Sequence, residues 1–141
     1  MYKRILVPLD GSEAGEAGLQ RAIVLARAGE AKLLLLHVLV GSHAAADGET
    51  EKARHRQALR LLAQGKEAAL AAGLHCETLL REFTGRGVSS EIEKQATLHH
   101  CDLVVMGTHG RRGLERLALG SVAHEVARTT RVPLLLVPPP A

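Results

Sequence analysis

Cys101-Asp-Leu-Val-Val-Met-Gly107-Thr-His-Gly110-Arg-Arg-Gly113-Leu-Glu-Arg-Leu-Ala-Leu-Gly120-Ser121 is the stretch on which the reading of this chain turns. It begins as a short apolar run, Cys101 to Met106, closed by glycine, which is the pattern of a buried strand. It ends at Ser121, where Val122 and Val126 recur at helical spacing and predict a helix over Ser121 to Thr130. Between the two lies a glycine-rich connection. Glycine lets backbone approach a ligand closely and tolerates positive φ; a tight turn with no ligand is the lesser reading of Gly107 and Gly110. Unpaired N–H groups and the positive dipole end at a helix start such as Gly120-Ser121 favour a phosphate. The Ser121 hydroxyl is a further donor, and Arg111, Arg112 or Arg116 would neutralise remaining charge. The plainer reading is a helix start alone, since Ser is a common N-cap.

Outward from this stretch the same alternation of strand and helix repeats. Arg4-Ile-Leu-Val-Pro-Leu9 is an apolar run ended by the turn signal Asp10-Gly11-Ser12. A helix follows, with Ser12 as its cap, Glu13 and Glu16 near its positive end, Leu19, Ile23 and Ala26 on one stripe, and Gly29 as its stop. Lys32 to Val40 is a strand apolar on both faces, as in a parallel sheet covered by helices on each side. After the Gly41–Gly48 loop, a helix from about Glu49 to Ala72 puts Leu59, Leu62, Ala63 and Leu70 on its apolar stripe. Leu74 to Arg81 alternates and is expected near a sheet edge, and a Gly85-Arg-Gly87 turn leads to a helix over Val88 to Leu98. Val132 to Val137 is the last strand. The order predicts one domain over residues 1–141: an α/β fold with a five-stranded, parallel, doubly wound, Rossmann-like sheet and helices on both faces. Ligands in such sheets sit beyond the carboxyl ends of the strands. Those ends carry Asp10, Val38 to Gly41, and Met106-Gly107.

Composition narrows the function. Of the 141 residues, 46% are hydrophobic, and the aromatics are Tyr2 and Phe83 alone. The core is therefore aliphatic, and no base-stacking platform for single-stranded nucleic acid is available. The net charge of +3 comes from scattered basic residues, with local clusters at Arg54/Arg56/Arg60 and Arg111/Arg112/Arg116. Solvated surface accounts for most of them, so no nucleic-acid partner is expected. The longest apolar runs, Leu33–Leu36 and Leu134–Val137, fall far short of the roughly 20 residues a membrane span needs. With no signal peptide at its start, the chain is expected to be cytoplasmic. Cys76 and Cys101 have no metal-ligand spacing and are expected as buried thiols.

Established phosphate motifs do not fit. No GxxxxGK[ST] occurs, and the first strand leads into Asp10-Gly11-Ser12 rather than a G-x-G-x-x-G turn. What remains is Gly107, Gly110, Gly120 and Ser121, a Gly-x2-Gly-x9-Gly-Ser spacing placed after the fourth strand. Together with Ile5-Leu-Val-Pro-Leu-Asp10-Gly-Ser, Leu36-His-Val38, Asp102 to Arg111, Gly120-Ser-Val-Ala123 and Val132-Pro133, this spacing resembles the ATP-binding branch of the universal stress protein family over almost the whole chain.

The resemblance implies a homodimeric, nucleotide-dependent stress-response module that binds ATP, ADP or AMP, with Mg2+ bridging the phosphates. On this chain Pro8, Leu9 and Asp10 would line the adenosine side, Asp10 accepting from ribose or base, and Val38 would meet adenine through its backbone. Met106 and Gly107 would flank the ribose, while Gly110, Gly120, Ser121 and Val122 would hold phosphates. His109, Arg111 and Arg112 are further candidates for phosphate contact. The dimer would form through Leu134–Val137.

No catalytic residue and no metal ligand stand out. Asp10 and His109 are the local candidates for a slow Mg-dependent ATPase or phosphotransferase, which would need a positioned water, a metal and a base. His99-His100-Cys101 is adjacent rather than spaced, so a metal site there is disfavoured. His37 reads as structural and His124 as surface. A ligand-free dimeric interaction protein is the third reading.

Overall fold

The computed structural model describes residues 1–41, 48–83, 87–109 and 119–140, with backbone alone for 48 and 49. Strands and helices alternate throughout: β1 (Arg4–Pro8), α1 (Glu13–Gly29), β2 (Lys32–Val40), α2 (Gly48–Ala71), β3 (Cys76–Phe83), α3 (Val88–Leu98), β4 (Leu103–Gly107), α4 (Ser121–Thr129) and β5 (Leu134–Val137). The strands form one sheet in the order β3-β2-β1-β4-β5, every pair parallel. The five-stranded α/β fold expected from the sequence is thus the observed one, with β3 on an edge. From β1 the chain winds outward through β2 and β3, then crosses back to β4 and β5. Connections leave β1 and β4 in opposite directions, which opens a crevice at their carboxyl ends.

The sheet's alternation divides its side chains between two cores. Ile5, Val7, Leu33 and Leu35 face α1 and α2, where they pack with Leu19, Ile23, Ala26, Leu62 and Ala69. Leu6, Leu34, Leu36 and Val104 face α3 and α4, against Ile92, Ala96, Ala123 and Val126. Each large aliphatic side chain buried completely contributes about 1.5–3 kcal/mol, and both faces of the central strands are filled in this way. At the opposite end from the crevice, the Asp102 carboxylate accepts from the backbone N–H groups of Lys3 (2.9 and 3.1 Å) and Arg4 (3.0 Å), which fastens the start of β1 to β4.

Several sequence expectations are corrected. The inward stripe of α2 is not Leu59, Leu62, Ala63 and Leu70, because Leu59 and Leu70 are about half exposed and Ala63 faces solvent. Its buried line is Ala58, Leu62, Gly65 and Ala69. Gly65 lies so close to the sheet that a Cβ there would stand 2.8 Å from Leu35 Cδ1 and 3.1 Å from Leu9 Cδ1. Small residues, rather than the leucines, mark the face that approaches the core. Gly29 is inside α1, and the left-handed residue that ends the helix is Glu30, at φ 57°. β3 and β4 each begin two residues later than the apolar runs suggest. β5 is confined to Leu134–Val137, and β1 ends at Pro8. For β1, β3 and β4 the pairing stops short of the apolar run because the flanking Leu9, Leu74 and Cys101 are also buried. The Gly41–Gly48 loop, apart from its ends, and the Gly85-Arg86 part of the following turn lie outside the described residues.

Both cysteines are buried and unpaired, as expected. Burial pushes the Cys76 thiol up to about 11 despite the nearby Lys66, and burial likewise raises Cys101. Among the described residues, no helix is long and apolar enough to cross a membrane.

Candidate functional site

A cavity of about 670 Å³ opens at the carboxyl ends of β1, β2 and β4. Pro8, Leu9, Asp10, Val38, Met106, Gly107, His109, Gly120, Ser121 and Val122 all line it, although they come from separate parts of the sequence. Gly110, Arg111 and Arg112, with Gly113 and Arg116, lie outside the described residues.

The β1 margin is a closed hydrogen-bonded turn. Asp10 Oδ1 accepts from the Ser12 backbone N–H at 2.9 Å and from the Ser12 hydroxyl at 2.5 Å. The same hydroxyl oxygen accepts from the Gly15 N–H at 3.0 Å, and so caps α1. Both readings of Asp10 are therefore compatible. One carboxylate oxygen holds the turn, and among the described residues the other makes no hydrogen bond. The first turn of α1 also carries Glu13 and Glu16. The Gly15 N–H at its positive end is thus taken by the chain's own hydroxyl oxygen, and two carboxylates stand in the same turn.

The β2 margin is held to β1. Leu9 N–H donates to the Leu36 carbonyl at 2.8 Å, and His37 Nδ1 lies 2.6 Å from the Leu9 carbonyl. A carbonyl only accepts, so Nδ1 carries the proton in this contact. His37 is thus structural, as the sequence suggests, although its residue also borders the cavity.

The β4 margin differs in kind. Gly120 N–H donates to the Thr108 carbonyl at 2.8 Å, which returns the chain to the strand end and aims α4 at the cavity. Thr108 Oγ1 and His109 Nδ1 are paired at 2.7 Å. The N-cap of α4 is Gly120, which has no side chain to cap with, and no acidic residue stands in the first turn. The N–H groups of Ser121, Val122 and Ala123 precede the first intrahelical bond, from His124 to the Gly120 carbonyl at 2.9 Å. These orphan donors are therefore available to an anion. At φ −61° and ψ 158°, Gly120 has a backbone conformation open to any residue, so its value lies in what it omits.

Gly107 has another explanation. A Cβ on it would stand 2.6 to 2.8 Å from the carbonyl carbon, Cβ and carbonyl oxygen of Ala14. Glycine is required there for α1 to pack against β4, whatever occupies the cavity. The spacing that draws attention to Gly107 and Gly120 thus joins a packing position to a helix cap.

A fourth wall was not foreseen. Arg54, Gln57, Ala58 and Leu61, at i, i+3, i+4 and i+7 of α2, line the cavity beside β2, and Val88 and Ile92 of α3 close its other side. The Arg54 guanidinium donates to the carbonyl of Val40. Helical spacing was the available signal, obscured by assigning the α2 stripe to Leu59 and Leu70. Among the described residues, no group of three or more His, Cys, Asp or Glu is placed to hold a metal ion.

Comparison with known proteins agrees with this fold. The model of the universal stress protein family matches residues 1–138. The universal stress protein MJ0531 of Methanocaldococcus jannaschii is 33% identical over 150 residues, spanning 99% of this chain and 84% of that protein. A universal stress protein family structure from Burkholderia pseudomallei superposes with a TM-score of 0.81 at 28% identity, covering 99% of this chain and 97% of the other. A universal stress protein solved in complex with cAMP is 25% identical, with a TM-score of 0.73 and 99% of both chains covered. With its fold, the course of its chain and its sequence all in agreement over nearly the full length, the protein belongs to the universal stress protein family.

Proposed function

We propose that the chain binds an adenine nucleotide in this cavity and acts as a nucleotide-dependent regulatory module. The observation that carries the reading is the uncapped start of α4, which borders a cavity whose other margins are aliphatic or internally hydrogen-bonded. The base and ribose would lie toward Pro8, Leu9, Asp10 and Val38, with Met106 and Gly107 beside the ribose. The phosphates would meet the N–H groups at Gly120, Ser121 and Val122, with His109 beside them and Gly110, Arg111 and Arg112 completing the set. The cAMP complex of a related universal stress protein supports an adenine nucleotide as the ligand class.

ATP is the ligand we assign, with ADP and AMP as its shorter forms. Mg2+ would enter with the phosphates and keep several waters, which is its usual mode beside a nucleotide. The place of β5 at the edge of the sheet, among the described residues, supports a homodimer through Leu134–Val137. Turnover is the second reading: Asp10 Oδ1 is held by Ser12 and His109 Nδ1 is paired with Thr108, which leaves the other Asp10 carboxylate oxygen as the acceptor it would use. A general base for water needs a free acceptor within reach of it.

The test is the nucleotide content of the purified protein, followed by titration with ATP with and without Mg2+. Saturable binding with little or no phosphate release is expected. No affinity at millimolar ATP would contradict the reading. Rapid release, abolished by Asp10→Ala or His109→Ala, would favour the enzyme.

A further inference from the structure

The cavity has two electrostatically different ends, and its one described arginine is at the end away from α4. Among the described lining residues Arg54 is the only Lys or Arg, and its guanidinium is anchored to the Val40 carbonyl at the end of β2. β1 separates β2 from β4 in the sheet, so this anchor lies on the β2 side of the crevice while the orphan donors of α4 lie on the β4 side. Leu9 packs on the sheet face that α2 covers and Val38 on the opposite face, both border the cavity, and no described lining residue is Phe, Tyr or Trp. A planar base on the β2 side would meet aliphatic side chains from the sheet, with Arg54 of α2 on the same stretch of cavity wall.

We propose that Arg54 is a specificity-determining residue that lays its guanidinium plane over the purine base, and that it is not a phosphate contact. The assignment rests on the adenine-nucleotide reading above. A guanidinium is planar and weakly hydrated, and it stacks on π faces in a way an ammonium does not. The hydrogen bond to Val40 keeps it at the base end and restrains the side chain before the ligand arrives, which lowers the entropy lost on binding. Ala58, one turn further along α2, borders the cavity with a small side chain. In this family fold the polar α2 wall takes the place of the missing aromatic shelf.

The experiment compares the wild type, Arg54→Leu and Arg54→Lys in calorimetric titrations with adenosine, AMP and ATP at two salt concentrations. Thermal unfolding of each unliganded protein serves as a check on folding. A base contact predicts about a five- to tenfold loss in Arg54→Leu, equal for all three ligands and insensitive to salt, with Arg54→Lys also weakened toward adenosine. Unchanged adenosine affinity in Arg54→Leu with a loss that grows from AMP to ATP, restored by lysine, would make Arg54 a phosphate residue and overturn the assignment. Wild-type affinity in both variants would overturn it as well, leaving the nucleotide reading intact. A wild type that binds none of the three ligands would remove the nucleotide reading and the assignment together.

Discussion

The starts of α1 and α4 border the same cavity, and the chain has treated them in opposite ways. α1 begins with Ser12 capping Gly15, Asp10 bracing Ser12, and Glu13 and Glu16 in the first turn. α4 begins with Gly120, no side-chain cap and no acid. A side-chain cap of the first kind is worth about 1 kcal/mol over alanine but only a few tenths over glycine, so α4 leaves its donors open at little cost. α3 is intermediate, lacking a side-chain cap but carrying Glu91 in its first turn. What distinguishes α4 is the combination of free donors, no competing carboxylate and a place on the cavity wall. Such an open helix start is what the proposed phosphate site requires.

The strongest way to break this contrast is to make α4 resemble α1. Gly120 already has N-cap backbone angles, so Gly120→Asp would supply the missing cap. Its carboxylate would take the donors assigned to phosphate and repel the ligand. ATP affinity should fall about a hundredfold, the equivalent of one or two charge-assisted hydrogen bonds. The unliganded protein should keep its urea midpoint or gain a few tenths of a kcal/mol. An unchanged ATP affinity would show that α4 is not the phosphate site.

The next test separates glycine kept for packing from glycine kept for ligand. Gly107→Ala forces a methyl group into the backbone of Ala14, and should cost about 1–3 kcal/mol in urea unfolding. The loss should appear without ligand. Full stability coupled with lost nucleotide binding would reverse the roles assigned to Gly107 and Gly120. The smallest effect belongs to the capped helix. Ser12→Ala should lower stability by about 1 kcal/mol and leave nucleotide affinity near that of the wild type, as read by melting and titration together. A large affinity loss at constant stability would place the anion at α1.

This contrast also shows what the sequence could and could not reveal. Element order and sheet type are legible because β1, β2 and β4 are covered on both faces and so read as unbroken apolar runs. Asp10, Val38 and Gly107 are legible as site-bordering residues because strand ends in such a sheet converge, whatever the loops do. The reason for Gly107 is not legible, since only the packed fold brings Ala14 against it. Nor is the rotation of α2. Leucines at 59 and 70 suggest one inward face, whereas Gly65 and Ala69 make the closer approach and turn Arg54 toward the cavity. Propensity and periodicity weigh large apolar residues, while close helix–sheet packing selects small ones. The cap on α4 is a middle case. Gly120-Ser121 marks a helix start, but which residue is the N-cap decides whether Ser121 satisfies the helix or is its first residue.

The most direct test of the central claim follows backbone amide resonances during an ATP titration. Phosphates seated on α4 predict saturable, parallel shifts of the Ser121, Val122 and Ala123 amides, while those of Glu13, Ala14 and Gly15 move little. Saturable binding with the large shifts confined to the start of α1, or no shift at α4 at millimolar ATP, would contradict the account.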